Sequence, residues 1–314
     1  MNLINFINEF PDEASCRARF KEYRDKEGVV CRKCGHTEHY WLQTIEKYQC
    51  KKCKTRTSLR SGTVMHASNL PFHYWFIAMH LLTSTKKSFS SLELQRQIGH
   101  KFYEPIWLMA NKIRTAMGVR DNQYQLDDVV EIDEGFFTSV DTKHKNDKEE
   151  ETKRGRGSQK KSTVMVLAKT VYQGKPKKHQ KISKFRYVKM VAMENLKGSS
   201  VDNVISKNVI PESIVKTDCY SSYSNIKNLV EFHVQLSVEP KDTNKYLPWV
   251  HTMIANAKRT LLGIHHMISE KYMQSYLDEF CYKVNRRYYG EKLFDRLLIA
   301  CVSNNCVRIV TDTR

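Results

Sequence analysis

Val129-Val130-Glu131-Ile132-Asp133-Glu134 is a short apolar run of β character that ends on carboxylates. A strand is rigid and its tip is exposed, so a carboxylate placed there suits metal chemistry. Two later stretches read as its partners. Ser213-Ile214-Val215-Lys216-Thr217-Asp218-Cys219-Tyr220 is a second strand-like run that also delivers an aspartate at its end. Tyr246 to Gly263 has helical spacing and carries His251, Asn256 and Lys258. Carboxylates on neighbouring strand ends can share a pair of divalent cations about 3.5–4 Å apart, an arrangement that serves phosphodiester cutting and joining. The expectation is that Asp133 and Asp218 do this, with the helix near residue 251 closing the site. The bland alternative is that the two aspartates only cap strand ends.

Around this run the pattern is mixed α/β. Thr163–Lys169 and Phe185–Val191 read as strands, Val201–Lys207 as a helix, Ser213–Thr217 as a fourth strand and Glu231–Leu236 as a fifth. Tyr246–Leu262 and Ser269–Asn285 read as helices, which completes a five-stranded layout with helices. Asp141 to Lys161 is charge-dense and nearly free of apolar residues, and reads as a solvated loop or a DNA-contacting arm. Further lysines, at 175, 177, 178 and 181, surround the Gly174-Lys-Pro turn.

Upstream, Gly118 to Asp128 is a polar linker that marks a domain boundary. From Pro71 to Met117 the spacing is helical. Ser90 to Gly99 is a short helix with a serine cap and a glycine stop, and Tyr103 to Met117 follows with Lys112 and Arg114. Two helices around a glycine turn outline a helix-turn-helix, and a plain helical bundle is the competing reading. Before it stands Cys31-x2-Cys34, then Cys50-x2-Cys53, the C-x2-C-x15-C-x2-C spacing of a zinc ribbon. Each pair points two thiolates at one ion, and four close a tetrahedral Zn²⁺ site. A redox dithiol would need one pair only. His36 and His39 are alternative ligands, and Arg32, Lys33, Lys51, Lys52 and Lys54 on the knuckles suit phosphate. Cys16, Cys219, Cys281, Cys301 and Cys306 have no ligand spacing. Residues 1 to about 28 read as a helical lead-in.

The chain of 314 residues carries a formal charge of +18, with 40% hydrophobic and 11% aromatic residues. The composition is globular and the charge asks for a polyanion, first of all nucleic acid. No apolar run reaches the ~18–20 residues of a membrane span, and no secretory signal is expected at Met1–Phe6. The cysteine usage fits a reducing compartment, so an intracellular protein without a membrane partner is expected.

Ribbon, helical segment, Glu131-Ile132-Asp133-Glu134, Thr217-Asp218 and the run closing on Lys258-Arg259 and Gly263 together resemble the DDE-type transposases of bacterial insertion sequences. They are most similar to the zinc-ribbon-bearing group related to the Merlin transposons. Tyr276-Leu277-Asp278-Glu279-Phe280 and Asn285-Arg286-Arg287 resemble that group's C-terminal signature. The resemblance implies a ribonuclease H-like catalytic core, terminal inverted repeats and target DNA as partners, and cleavage and strand transfer with two Mg²⁺ or Mn²⁺ ions. It also implies a homodimer or higher oligomer on DNA. It assigns Asp133 and Asp218 as the first two catalytic carboxylates and Lys258 as the basic residue seven places after the third. That count lands on His251, where many members carry Glu and some Asn. His251 as metal ligand or acid, Asn256 as an oxygen ligand in its stead, and an inactive copy all remain open here. Lys51, Lys52, Lys112, Arg114, Lys258 and Arg259 are the expected DNA contacts.

The expected organisation is a lead-in over residues 1–28, a zinc ribbon over 29–60, a helix-turn-helix-like segment over 70–118, a catalytic domain over 127–290 and a tail over 291–314. The rivals are a DNA-binding protein with a degraded or domesticated core, and a nuclease that cuts but never joins.

Overall fold

Asn2 and Asp12 start the first two helices alike, each side chain accepting the backbone N–H three residues on. These helices are α1 (Leu3–Glu9) and α2 (Glu13–Glu27). The structure, a computed structural model, describes residues 1–140, 161–174, 183–237 and 246–303. It divides into two units, Met1–Arg120 with Arg286–Arg314, and Asp121–Asn285. Residues 141–160, Lys175, Lys177, Lys178, Lys181 and Cys306 lie outside the described residues.

In the first unit, β1 (His39–Leu42), β2 (Lys47–Cys50) and β3 (Arg56–Ser58) form a small antiparallel sheet in that order. Tyr48 ties it to α2 by donating its hydroxyl to Asp25 at 2.6 Å, and Lys21 lies over the Trp41 ring. Helix α3 (Phe72–Ser84) begins after Pro71, which has no side-chain acceptor. Glu13 of α2 supplies one from a distance, accepting the N–H groups of Phe72 and His73 at 2.9 and 2.8 Å. Helix α4 (Ser91–Ile98) opens on Ser90 and stops at Gly99, whose φ of 72° is the left-handed region that glycine enters at least cost. Helix α5 (Tyr103–Asp121) follows after a four-residue turn.

Residues 291–314 were expected as a tail, but Leu293–Ser303 is a helix packed on α2 and α3. Its Leu293, Phe294, Leu297, Leu298, Cys301 and Val302 are buried, an amphipathic face that leaves no exposed-tail option. Phe294 meets Phe6, Phe10 and Phe76 in an aromatic core.

The second unit is built on one sheet. Its strands are β4 (Val129–Val140), β5 (Lys161–Tyr172), β6 (Ser183–Met193), β7 (Ile214–Asp218) and β8 (Phe232–Leu236). The order β6-β5-β4-β7-β8 has the first three strands antiparallel, and β7 and β8 parallel to β4. In chain order this is 3-2-1-4-5, the ribonuclease H-like arrangement. Helix α6 (Gly198–Asn208) makes the crossover from β6 to β7. Helix α7 (Pro248–His265), the two-residue strand β9 (Ile268–Ser269) and helix α8 (Glu270–Arg286) follow β8.

Alternation along the strands divides the core. Val130, Ile132, Met165, Leu167 and Val215 face α6, whereas Val164, Val166, Ala168 and Phe137 face α7 and α8. Side chains of α8 cover the outer edge of β6 from Val188 to Ala192. Asn285 accepts the N–H of Val188 at 2.8 Å and donates to its carbonyl at 2.9 Å. Gln274 does the same for Ala192 N–H and Met190 C=O, at 2.9 and 3.0 Å. Among the described residues no helix is long and apolar enough to cross a membrane.

Candidate active site and zinc ribbon

Asp133 was expected at a strand end but lies inside β4, which runs on to Val140, whereas Asp218 is the last residue of β7; register brings the two to one level of the sheet. Strands β4 and β7 pair in parallel through Glu131↔Lys216, so Asp133 and Asp218 are the next level pair on the same face. Asp133 sits opposite Val166 of β5, whose side chain belongs to the α7 face, so Asp133 points towards that helix. Each aspartate has one oxygen held by its own backbone. Asp133 Oδ1 accepts the N–H of Glu134 at 2.8 Å, and Asp218 Oδ1 accepts that of Tyr220 at 3.0 Å.

Helix α7 brings the third group. His251 Nδ1 lies 3.4 Å from Asp133 Oδ2. Burial lowers the imidazole pKa from its ordinary value, against an upward pull from Asp218, so the ring is neutral at pH 7. Its Nε2 is buried with no hydrogen-bond partner among the described residues. Lys258 stands seven residues on, about 20° round the helix from His251, whereas Asn256 is about 140° away. Lys258 accordingly senses Asp133. Burial lowers its pKa first, Lys161 adds to this, and Asp133 opposes it. The ammonium also lies over the Phe137 ring. Asn256 is carried to the other flank of the helix.

The start of α7 holds a contact that the sequence reading missed. Glu131, buried at 3% exposure, accepts the N–H groups of Trp249 and Val250 on Oε2 at 2.8 and 3.0 Å. The available signal was Leu247-Pro248 at a helix start with no Ser, Thr, Asp or Asn to cap it. On the opposite face of the sheet Tyr223 is fully buried. Burial raises its pKa, and the nearby Glu134, Asp133 and Asp218 carboxylates raise it further.

A family profile described as "ISXO2-like transposase domain" matches residues 125–285, more than half of the chain. The chain belongs to the ISXO2-like transposases. It is therefore a transposase acting on DNA, an enzyme of the polynucleotidyl transferase type. A second profile, "Transposase zinc-ribbon domain", matches residues 11–56 of this transposase. Among solved structures it is similar to the Mos1 strand transfer complex, with 13% identity, a TM-score of 0.30, and 73% of this chain and 78% of that one covered. It is also similar to a pre-cleavage Mos1 transpososome, with 11% identity, a TM-score of 0.28, and 73% and 79% covered. No curated protein matches it.

The ribbon of this transposase has the geometry its spacing predicts. The sulfurs of Cys31, Cys34, Cys50 and Cys53 all lie within 4.8 Å of one another. Cys31–Cys53 and Cys34–Cys50 are 3.4 and 3.6 Å apart. A tetrahedral Zn²⁺ with bonds of about 2.3 Å asks for an edge of about 3.8 Å, so the set fits a structural zinc. His36 and His39 are outside the cluster. Among the described residues this is the one group of three or more His, Cys, Asp or Glu with every ligand atom so close.

The expected DNA contacts separate by exposure. Lys51, Lys52, Lys258 and Arg259 are exposed, with Lys51 also 3.2 Å from Glu38. Lys112 donates to the His66 carbonyl at 2.7 Å. Arg114 is corrected: it is fully buried and donates to the Phe89 carbonyl at 3.3 Å, so its guanidinium serves the packing of α5 and does not reach a phosphate.

Proposed function

We propose that this transposase binds the terminal inverted repeats of its element and carries out divalent-metal-dependent strand cleavage and strand transfer at Asp133, Asp218 and His251. The observation that carries the reading is the level placement of Asp133 and Asp218 on the α7 face, with His251 Nδ1 3.4 Å from Asp133 Oδ2. The donor set, two carboxylates and an imidazole, suits Mg²⁺ or Mn²⁺, the imidazole favouring Mn²⁺. When bound, such ions activate the attacking oxygen and stabilise the leaving 3′-oxygen.

The chain's own groups do the positioning. The backbone contacts on Oδ1 fix the orientation of each aspartate, and Asp133 turns its Oδ2 towards His251. His251, held neutral by burial, offers a lone pair that either holds a metal or takes and returns a proton. Lys258 and Arg259 hold phosphates beside the site, and Lys51 and Lys52 carry the ribbon onto the backbone of the duplex. Residues 127–290 act as the catalytic domain and 70–118 as a helix-turn-helix-like reader, in which α5 would enter the major groove. Two DNA ends require two active sites, so the working form is a dimer or higher oligomer, acting on nucleoid DNA in the cytoplasm.

The test is nicking of a DNA fragment bearing the element's inverted repeats, in Mg²⁺ or Mn²⁺, by wild type, Asp218→Asn and His251→Ala. Cleavage at the repeat end that is lost in both variants supports the reading. Survival in His251→Ala removes His251 from the site, and binding without cutting by wild type in either metal refutes the enzyme.

A further inference from the structure

We propose that Glu131 is a positioning residue for DNA cleavage, its carboxylate fixing the first turn of α7 to the strand that carries Asp133. The proposal rests on the reading of Asp133 and His251 given above. Leu247 cannot cap the helix with its side chain, and Pro248 has no N–H to offer. The N–H of His251 already reaches the Leu247 carbonyl. The first-turn donors left over are those of Trp249 and Val250, and Glu131 Oε2 takes both at 2.8 and 3.0 Å.

A buried carboxylate is costly unless its charge is met. Here two charge-assisted hydrogen bonds and the positive end of the helix dipole meet it. A local cap would stabilise the same helix but leave its seat on the sheet unspecified. The distant cap specifies the seat. Asp133 is two residues beyond Glu131 on the same face of the strand, about 6.6 Å further along. His251 is the residue after Val250. The contacts therefore close a ring from Glu131 to Val250, His251, Asp133 and back along the strand. Trp249 pins the other flank of the turn, its indole N–H donating to the Ser183 carbonyl at 2.9 Å. Removing Glu131 thus lets the turn shift without releasing the helix.

The test uses the full chain as Glu131→Ala and Glu131→Gln, the amide keeping an acceptor oxygen and so expected to restore most function if Ala fails. Amide hydrogen exchange at Trp249 and Val250 reads the cap without reference to activity. Faster exchange at these two amides in Glu131→Ala is expected, and wild-type exchange overturns the cap. Cleavage at saturating DNA is expected to fall about 100-fold in Glu131→Ala, the scale of a 1 Å misplacement, with DNA affinity unchanged. A fall in affinity alone, or wild-type cleavage by Glu131→Ala, overturns positioning. Wild-type cleavage by His251→Ala sinks the His251 reading instead, while the exchange result still decides the cap.

Discussion

Gly135 should not tolerate a methyl group. It lies two residues beyond Asp133 on β4 and faces α7, and a Cβ there would sit 2.8 Å from Phe137 Cε2 and 3.3 Å from Ile254 Cγ2. Carbon atoms rest at about 3.5–4.0 Å, so the Phe137 ring edge must retreat by roughly 1 Å and Ile254 by about 0.3 Å. Ile254 is three residues past His251, so that push bears on the helix turn facing Asp133. The His251–Asp133 contact, at 3.4 Å, is already at the long end for a hydrogen bond and has no slack to absorb the displacement. Phe137 also carries Lys258 over its ring, so the basic residue moves with it. Gly135→Ala is expected to cost about 1–3 kcal/mol of stability, as overpacking does. Single-turnover nicking is expected to slow roughly tenfold or more, because catalysis is sensitive to placement. Denaturant midpoints and nicking of an inverted-repeat fragment measure the two. A variant with the wild-type midpoint and wild-type nicking would refute the close approach of α7 and β4.

Elemental analysis should find one zinc per chain, and Cys50→Ser should lose it together with DNA affinity, since ligand loss unfolds a ribbon of three short strands; full zinc content in that variant sinks the four-thiolate site. Lys258→Ala should flatten the salt dependence of DNA binding by about one unit of slope, whatever the sequence bound. An unchanged slope takes Lys258 off the phosphates. Burial raises the Asp278 carboxyl from 3.8 to about 7, with Asp121 adding to it and the Gln274 hydrogen bond opposing it. Below about pH 4 both folded and unfolded chains are protonated there and the group is neutral for stability. As pH rises to 7 the unfolded chain ionises first, so the folded state loses stability, in full above pH 7. Asp278→Asn should therefore match wild type near pH 4 and be the more stable at pH 8, and the reverse trend in melting would show the carboxyl to be ionised in the fold.

What could be read from the sequence was whatever is local. The CxxC pairs declare a metal site because each knuckle is four residues long. Asp133 and Asp218 stand in runs whose β character is plain, although β4 continues past Asp133 to Val140, and the five strands lie where alternation places them. Readings that depended on which way a helix faces fared worse. Arg114 sits in a run of apolar residues on α5, and its charge suggested DNA where its phase meant burial. The face on Leu293–Ser303 was equally legible in its spacing, but its burial depends on α2 and α3, far away in the chain. Glu131 shows the limit most clearly. It belongs by sequence to a strand and by hydrogen bonding to a helix more than a hundred residues later, and only its partners' positions reveal the link.

The amide side chains along β6 have a consequence for how copies of this protein can meet. Gln274 and Asn285 present donor and acceptor where a neighbouring strand would present its backbone, so to the sheet they are a sixth strand made of two side chains. A foreign strand arriving along Val188–Ala192 would have to evict two amides to gain the same bonds. That stretch of the border is guarded against exchange or fibre-like growth. When several copies gather on paired DNA ends, as proposed here, a contact made by strand addition at this stretch starts at a disadvantage to one made by side-chain surfaces.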